Sequence, residues 1–231
     1  MLLFSLECSA AAASAAIYRD EKLLGEEFLN VPQTHSVTLL PMAKSLLEHT
    51  GISPEQVDYY AVSRGPGSFT GLRIGIAAIK GLAFPDNTPC IGVSTPEAIA
   101  YGLLGFEGTV IPMMDARCGQ VYTALFQGKD GRLTRLSEDE GLPLSELKEK
   151  LKSCTGPLWL CGDGAHLGLA AWGEELPVRM APAHLCCQRA SAVGLAAMQH
   201  LGEAVSPAAL VPCYLRPANA MTLAERQHKV E

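Results

Sequence analysis

The chain has 231 residues, 48% of them hydrophobic and 18% charged, which excludes an intrinsically disordered polypeptide and, at ~100 to 150 residues per domain, asks for two lobes or one large domain. A formal net charge of -6 with scattered basic residues excludes an independent phosphate-neutralising face, so nucleic acid would be met only through a partner. No stretch reaches the ~18 apolar residues that span a bilayer.

Met1 to Ile17 is apolar and rich in small residues, but it lacks a basic n-region and Glu7 interrupts it, so it reads as strand rather than secretory leader. Leu2 to Leu6 is predicted as a buried strand ending at Glu7. A small-residue turn and a second strand around Ala12 to Tyr18 follow, and past Asp20-Glu21 a third runs from Lys22 to Phe28. A helix is predicted from Ser36 to about His49, with Leu39, Met42, Ala43 and Leu46 on one face and Leu40 and Leu47 widening it. Pro41 should bend this helix or mark its first turn, and Gly51 stops it. His35 reads as a polar helix-entry residue rather than a general base. Val57 to Ser63 is the next strand.

Residues 64 to 75 read Arg64-Gly65-Pro66-Gly67-Ser68-Phe69-Thr70-Gly71-Leu72-Arg73-Ile74-Gly75, a glycine-punctuated turn feeding an apolar helix that ends at Ala83. The glycines at 65, 67 and 71 permit sharp turning and close backbone approach, which suits an anion or a partner backbone at the helix's first turn. The spacing excludes a Walker loop, because Thr70 and Leu72 stand where the second glycine belongs. It also excludes a dinucleotide fingerprint, whose third glycine would fall at Thr70. Gly65, Gly67, Ser68 and Thr70 therefore stand as candidate anion or nucleotide contacts. Beside that reading, Gly71, Gly75 and Ala78 make a small-residue stripe that lets the helix lie close to a sheet or to another helix.

The second half repeats this order. Thr109 to Met114 is a strand ending at Asp115, Gln120 to Phe126 is another, and Gly128-Lys129-Asp130-Gly131 turns into Arg132 to Leu136. A helix from about Leu144 to Lys152, a strand Leu158 to Cys161, the turn Gly162-Asp163-Gly164 and a later helix from about Ala190 to Leu201 complete it. Two similar α/β lobes result, 1–104 and 105–231, with a cleft between them where ligands commonly sit. Each lobe's first strand ends in one carboxylate, Glu7 or Asp115, and both are candidate nucleotide contacts. Lone acids in such places are also commonly solvated loop residues.

The eight cysteines, at 8, 90, 118, 154, 161, 186, 187 and 213, form no Cys-x-x-Cys, and the histidines form no His-x-x-x-His. Buried, reduced thiols acting as small hydrophobes in a reducing cytosol are expected, with no metal site. No Gly-x-Ser-x-Gly occurs, and Ser68 has no base near it in sequence.

With these residues in hand, the chain resembles the TsaB family, formerly called YeaZ. The resemblance rests on Gly-Pro-Gly-Ser-Phe-Thr-Gly-Leu-Arg-Ile-Gly from Gly65 to Gly75 with Lys80-Gly81-Leu82-Ala83 beyond it. It extends to His35-Ser36 leading to Leu39-Leu40-Pro41, Gly92-Val93-Ser94, Asp115-Ala116-Arg117 with Val121-Tyr122, Gly162-Asp163-Gly164 and Tyr214-Leu215-Arg216. It implies the actin and sugar-kinase-like ATPase superfold (ribonuclease H-like), an α/β fold of two duplicated lobes with mixed sheets flanked by helices. It further implies a non-catalytic cytoplasmic subunit of the machinery that installs threonylcarbamoyl on the adenosine beside the tRNA anticodon. Such a subunit binds TsaD, meets the ATPase TsaE in the complex, self-associates when alone and touches tRNA only indirectly. It carries no cofactor of its own, and ATP or ADP is expected only in the complex. The partner-binding positions so implied are Leu39, Leu40, Met42, Ala43 and Leu46 on one helix and Gly71, Gly75 and Ala78 on the other. The tail after about residue 212 is expected to pack back on the first lobe. One departure stands out: Glu7-Cys8-Ser9 replaces the family's usual Asp-Thr-Ser, and Cys is a weaker hydrogen-bonding group than Thr. The alternative, a stand-alone nucleotide-dependent phosphotransferase or glycoprotease-like peptidase, finds neither metal ligands nor a nucleophile-base pair in the sequence.

Overall fold

The structure is a computed structural model and describes residues 1–215. Arg216, the last residue of one matched motif, and the chain beyond it lie outside the described residues.

The first sheet is built from β1 (Leu2–Glu7), β2 (Ala13–Arg19) and β3 (Lys22–Leu29), then, after helix α1 (His35–Thr50), β4 (Tyr59–Gly65). Helix α2 (Phe69–Ala83), β5 (Cys90–Ser94) and helix α3 (Thr95–Tyr101) complete this part. The strand order is β3-β2-β1-β4-β5, an antiparallel meander on one side of β1 and parallel strands on the other. The second sheet uses β6 (Gly108–Asp115), β7 (Gln120–Thr123), a hairpin of β8 (Phe126–Lys129) and β9 (Arg132–Arg135), and β10 (Glu140–Pro143). After helix α4 (Leu144–Leu151) come β11 (Leu158–Cys161), helix α5 (Ala165–Trp172), β12 (Val178–Met180) and helix α6 (Ala190–Ala197). Its order, β10-β7-β6-β11-β12 with β8 added beside β6, repeats the first sheet strand for strand. The element echo read from the sequence is thus a repeat of sheet topology, and it places Glu7 and Asp115 at equivalent strand ends.

Each helix is held by one apolar face. Leu39, Met42, Ala43, Leu46 and Leu47 of α1 pack with Ile76, Ala78 and Ile79 of α2 over one face of the first sheet, each fully buried leucine contributing about 1.5–3 kcal/mol. Gly51 ends α1 in the left-handed region at φ 65°, returning its N–H to the Glu48 and Leu47 carbonyls. Pro41 lies well inside α1, six residues from its start, on the exposed face with Val37. There the Val37 carbonyl that loses its helical partner lies on the solvent side.

The other face of the first sheet is covered by α6, although that helix belongs to the second half of the chain. Ser5 Oγ donates to the Ala190 carbonyl at 2.7 Å, Ser14 Oγ accepts from the Ala190 N–H at 2.7 Å, and Tyr18 donates to the Ser191 carbonyl at 2.8 Å. Glu26 accepts from the Ser191 N–H and hydroxyl at 3.0 and 2.8 Å, supplying negative charge to the N-terminus of α6. The return to the first sheet therefore begins with α6, upstream of the tail at 212 where it was expected, because buried hydroxyls on β1 and β2 need these partners.

Several element boundaries differ from the sequence reading. The strand predicted from Val57 starts at Tyr59, because Asp58 instead accepts the Leu2 N–H at 2.6 Å. The single strand Gln120–Phe126 is two, with β7 pairing β10 and β8 pairing β9. The helix after the Gly162-Asp163-Gly164 turn is α5, and the later helix stops at Ala197, where a 3-10 turn Met198–Glu203 takes over with His200 at φ -118°. No helix among the described residues is long and apolar enough to cross a membrane.

Candidate functional site

The glycine turn receives the chain's own backbone. The Ser68 N–H donates to the Ser9 carbonyl at 2.7 Å. A Cβ on Gly67 would lie 2.7 Å from that same oxygen, and one on Gly71 would overlap the Cys8 carbonyl. Gly65, at φ 121°, leaves room for the Cys213 carbonyl, and the Cys213 N–H donates to the Arg64 carbonyl at 2.7 Å. Ser68 caps α2, its Oγ accepting the Gly71 N–H at 3.2 Å. The amides of Ser68 and Gly71, candidates for an anion, are thereby engaged within the chain. Ser68 and Thr70 themselves stay exposed.

Glu7 is completely buried beneath this turn. Its Oε1 accepts the Ser9 N–H at 2.5 Å and its Oε2 accepts the Ser63 hydroxyl. Burial pushes its carboxyl above the ordinary value, against the opposing pull of those hydrogen bonds and of His35. Ser9 Oγ is buried beside it. His35 stands at the entry of α1, as expected, but Thr34 is the N-cap and makes no side-chain cap bond, and the His35 ring instead holds the Ala10 carbonyl at 2.7 Å through Nε2.

Asp115 is half-buried and turns inward on its own loop, accepting the Arg117 N–H at 2.7 Å and the Arg117 guanidinium at 3.1 Å. Arg117 and Cys118 sit in the left-handed region at φ 66° and 54°. Asp163, in the Gly162-Asp163-Gly164 turn, stands near Asp115 and is the perturbed carboxyl here. Burial first, and the Asp115 charge in addition, raise its pKa, while Gln188 donates to it at 2.6 Å. The turn carrying Asp163 is visible in the sequence, but nothing in its pattern marks the carboxyl. Among the described residues no three His, Cys, Asp or Glu side chains gather as a metal site. All eight cysteines are free. Cys8, Cys90 and Cys161 are buried, as expected of thiol hydrophobes, whereas Cys118 is exposed and the other four are half-buried.

The second candidate surface lies on the outside of α1 and α2. Leu40, Pro41, Lys44, Glu48, Pro54 and Leu82 border an open groove of about 950 Å³. It is flanked by a second of about 420 Å³ along Ser36, Leu40, Ile74, Ala77 and Gly81. Leu40 is 51% exposed, Val37 64% and Phe84, one residue past α2, 76%, an apolar strip of the kind that marks an interaction site. The expected partner-binding set divides on this surface. Leu39, Met42, Ala43 and Leu46 are turned into the core, and Gly71, Gly75 and Ala78 are likewise buried. Leu40 alone of the eight is exposed, Ala43 lines the larger groove and Leu39 and Ala78 the smaller one, while Gly71 and Gly75 serve the close approach of α2 to Cys8 and Val62. Val37, Ala77, Gly81 and Phe84, which the sequence reading did not single out, supply the outward face.

Comparison with known proteins places this geometry. A family model described as TsaD, tRNA N6-adenosine threonylcarbamoyltransferase, matches residues 29–149. The tRNA threonylcarbamoyladenosine biosynthesis protein TsaB of Bacillus subtilis is 31% identical over 220 residues, covering 95% of this chain and 96% of its own. YeaZ from Pseudomonas aeruginosa superposes with a TM-score of 0.77 at 28% identity, over 93% of this chain and 99% of that one. Component A of the (R)-2-hydroxyglutaryl-CoA dehydratase of Acidaminococcus fermentans, at 12% identity and a TM-score of 0.51 over 85% of this chain and 96% of that one, shares the fold alone. The fold is that of the actin and sugar-kinase-like ATPases, and by identity over nearly its whole length the chain belongs to the TsaB (YeaZ) family of tRNA threonylcarbamoyladenosine biosynthesis proteins.

Proposed function

We propose that the chain is the non-catalytic subunit that docks on TsaD and activates it for threonylcarbamoyl transfer to the adenosine beside the tRNA anticodon. The observation that carries this reading is the open apolar groove between α1 and α2, bordered by Leu40, Pro41, Ala77, Gly81 and Leu82. An exposed apolar strip of this kind is a surface for another protein. In the same reading the groove pairs two copies of the chain when TsaD is absent, TsaE joins the complex elsewhere, tRNA is touched only indirectly, and the assembly works in the cytoplasm. The filled glycine turn supports a role that does not depend on a bound nucleotide.

Reconstitution with TsaD, TsaE, tRNA and threonylcarbamoyl-adenylate tests the role. Modification should depend on this chain and should fail with Leu40→Arg, whose side chain already points outward and so leaves the core undisturbed. Full modification without the chain, or with a folded Leu40→Arg variant at wild-type yield, overturns the proposal.

A further inference from the structure

Five ionisable side chains from three distant segments meet beside α3. Glu97 lies on α3, Arg135 on β9 and Asp139 just beyond it, and His200 and Glu203 in the 3-10 turn after α6. The Glu97 carboxylate is shared: Oε2 accepts from Arg135 Nη2 at 3.2 Å, and Oε1 lies 2.9 Å from His200 Nε2. Arg135 Nη1 donates to Asp139 at 2.8 Å. Asp139 also accepts the Ser94 hydroxyl at 2.9 Å, and that hydroxyl caps α3 by accepting the Glu97 N–H at 3.3 Å. The second ring nitrogen of His200, Nδ1, lies 3.0 Å from Glu203 Oε1.

Both nitrogens of His200 therefore face carboxylate oxygens at hydrogen-bond distance. A neutral imidazole has one N–H and one lone pair, so it satisfies one of these acceptors and opposes the other, whereas an imidazolium donates to both. Charge counting agrees: Glu97, Glu203 and Asp139 stand against Arg135 alone, and a proton on His200 reduces the excess. Tyr101, which senses Glu97 from the same helix, is itself held protonated by burial first and by that carboxylate.

We infer that His200 is a proton-operated latch that, when charged, fastens the Met198–Glu203 turn to α3 and, through Glu97 and Arg135, to the β8–β9 hairpin of the second sheet. The neutral ring releases the turn. Val205, two residues past the turn, exchanges main-chain hydrogen bonds with Cys90 at 2.8 Å in both directions, so release loosens the segment that borders β5. Burial opposes the charge on His200, but its bonds to Glu97 and Glu203 outweigh it and the pKa rises above 6.5. With the folded value raised, the latch's stabilisation is complete below the unfolded value and is lost as pH climbs through the folded one.

Histidine-ring NMR titration of the intact protein from about pH 5.5 to about pH 8.5, paired with hydrogen exchange corrected for intrinsic rates, tests this. The His200 midpoint should lie above 6.5 and fall in both Glu97→Gln and Glu203→Gln. Protection of 198–205 and 132–139 should be lost together through that midpoint in the wild type and be independent of pH in His200→Gln. A midpoint at or below 6.5, or protection that does not follow it, overturns the latch. Glu203 is 74% exposed, so Glu203→Gln leaves the fold intact, and an unchanged midpoint in that variant overturns the two-carboxylate grip by itself.

Discussion

Gly75 rides on the sulfur of Cys8: a Cβ added to the glycine would lie 2.8 Å from Sγ and 3.2 Å from Cγ2 of Val62. The close approach that the small residues of α2 make is thus to the residue after β1 and to β4 of the same chain. Gly75→Ala should lower stability by ~1–3 kcal/mol through overpacking, partly offset by up to ~1 kcal/mol of helix propensity. Gly81, on the same helix, has nothing within 4 Å of its missing Cβ. Gly81→Ala should raise stability by up to ~1 kcal/mol. Urea unfolding of the pair measures both signs, and a Gly75→Ala variant as stable as Gly81→Ala would contradict the packing.

Glu7 gives a pH dependence whose sign is fixed by its surroundings. Its folded pKa is raised above the model-compound value of 4.5 by burial, so stability from this group is complete below about 4.5 and declines as pH rises through the folded value. Glu7→Gln keeps an acceptor for the Ser9 N–H and offers an amide donor to Ser63 Oγ, with no charge to desolvate. Thermal unfolding across that window should show a flatter pH profile for the variant, with its stability relative to wild type improving toward neutral pH. A wild-type profile unchanged by the substitution would mean that burial does not raise the Glu7 pKa on folding.

The lobe repeat, the strand-end acids and the place of His35 at the start of α1 were legible in the sequence because each follows from local pattern: apolar runs and turn residues. The destination of α6 was not. Ala190, Val193, Ala196 and Ala197 read as an apolar helix wherever it docks, and only the buried Ser5, Ser14 and Tyr18 hydroxyls show that the first sheet receives it. The expected partner-binding set divides between core and surface for a related reason. Periodicity finds the apolar face of α1, which is the face turned to the core, while the outward strip is set by single residues such as Val37 and Leu40 that carry no period. Partners for the glycines at 65 and 71, the Cys213 and Cys8 carbonyls, come from segments far away in sequence.

A stack on the surface ties the end of the described chain to α2. The Arg73 guanidinium lies 3.9 Å from the centroid of Phe69, Tyr214 packs on Phe69 at 5.0 Å, and Arg73 Nε donates to the Tyr214 hydroxyl at 3.0 Å. Arg73→Ala removes the cation and the hydrogen bond together, at about 0.5–1 kcal/mol for an exposed cation–π pair. Hydrogen exchange at 211–215 should quicken several-fold while the α2 core stays protected. Equal exchange in the variant would mean that the Cys213–Arg64 backbone bond holds this segment alone.

A second copy and TsaD should compete for the groove between α1 and α2. If one groove serves both a second copy and TsaD, adding TsaD should dissolve the homodimer, and Leu40→Arg should weaken both associations. Sedimentation of labelled chain with increasing TsaD reads this directly. An assembly holding two copies through this groove and TsaD through the same groove would contradict shared use.

The glycine turn makes the last test, because it resembles an anion cradle yet holds its own chain. The Ser68 amide is committed to the Ser9 carbonyl and the Gly71 amide to Ser68 Oγ, and the acid beneath them, Glu7, is buried and engaged by Ser9 and Ser63. Admitting a triphosphate would break the Ser9 contact and place negative charge over a buried carboxyl, a cost only partly returned by new hydrogen bonds. Isothermal titration of the isolated protein with ATP and Mg²⁺ should therefore show no saturable heat at micromolar concentrations. Ser68→Ala, which frees the Gly71 N–H, should not create binding either. Micromolar binding by the wild type, abolished by Glu7→Ala with Asp115→Ala, would instead assign a nucleotide to this turn.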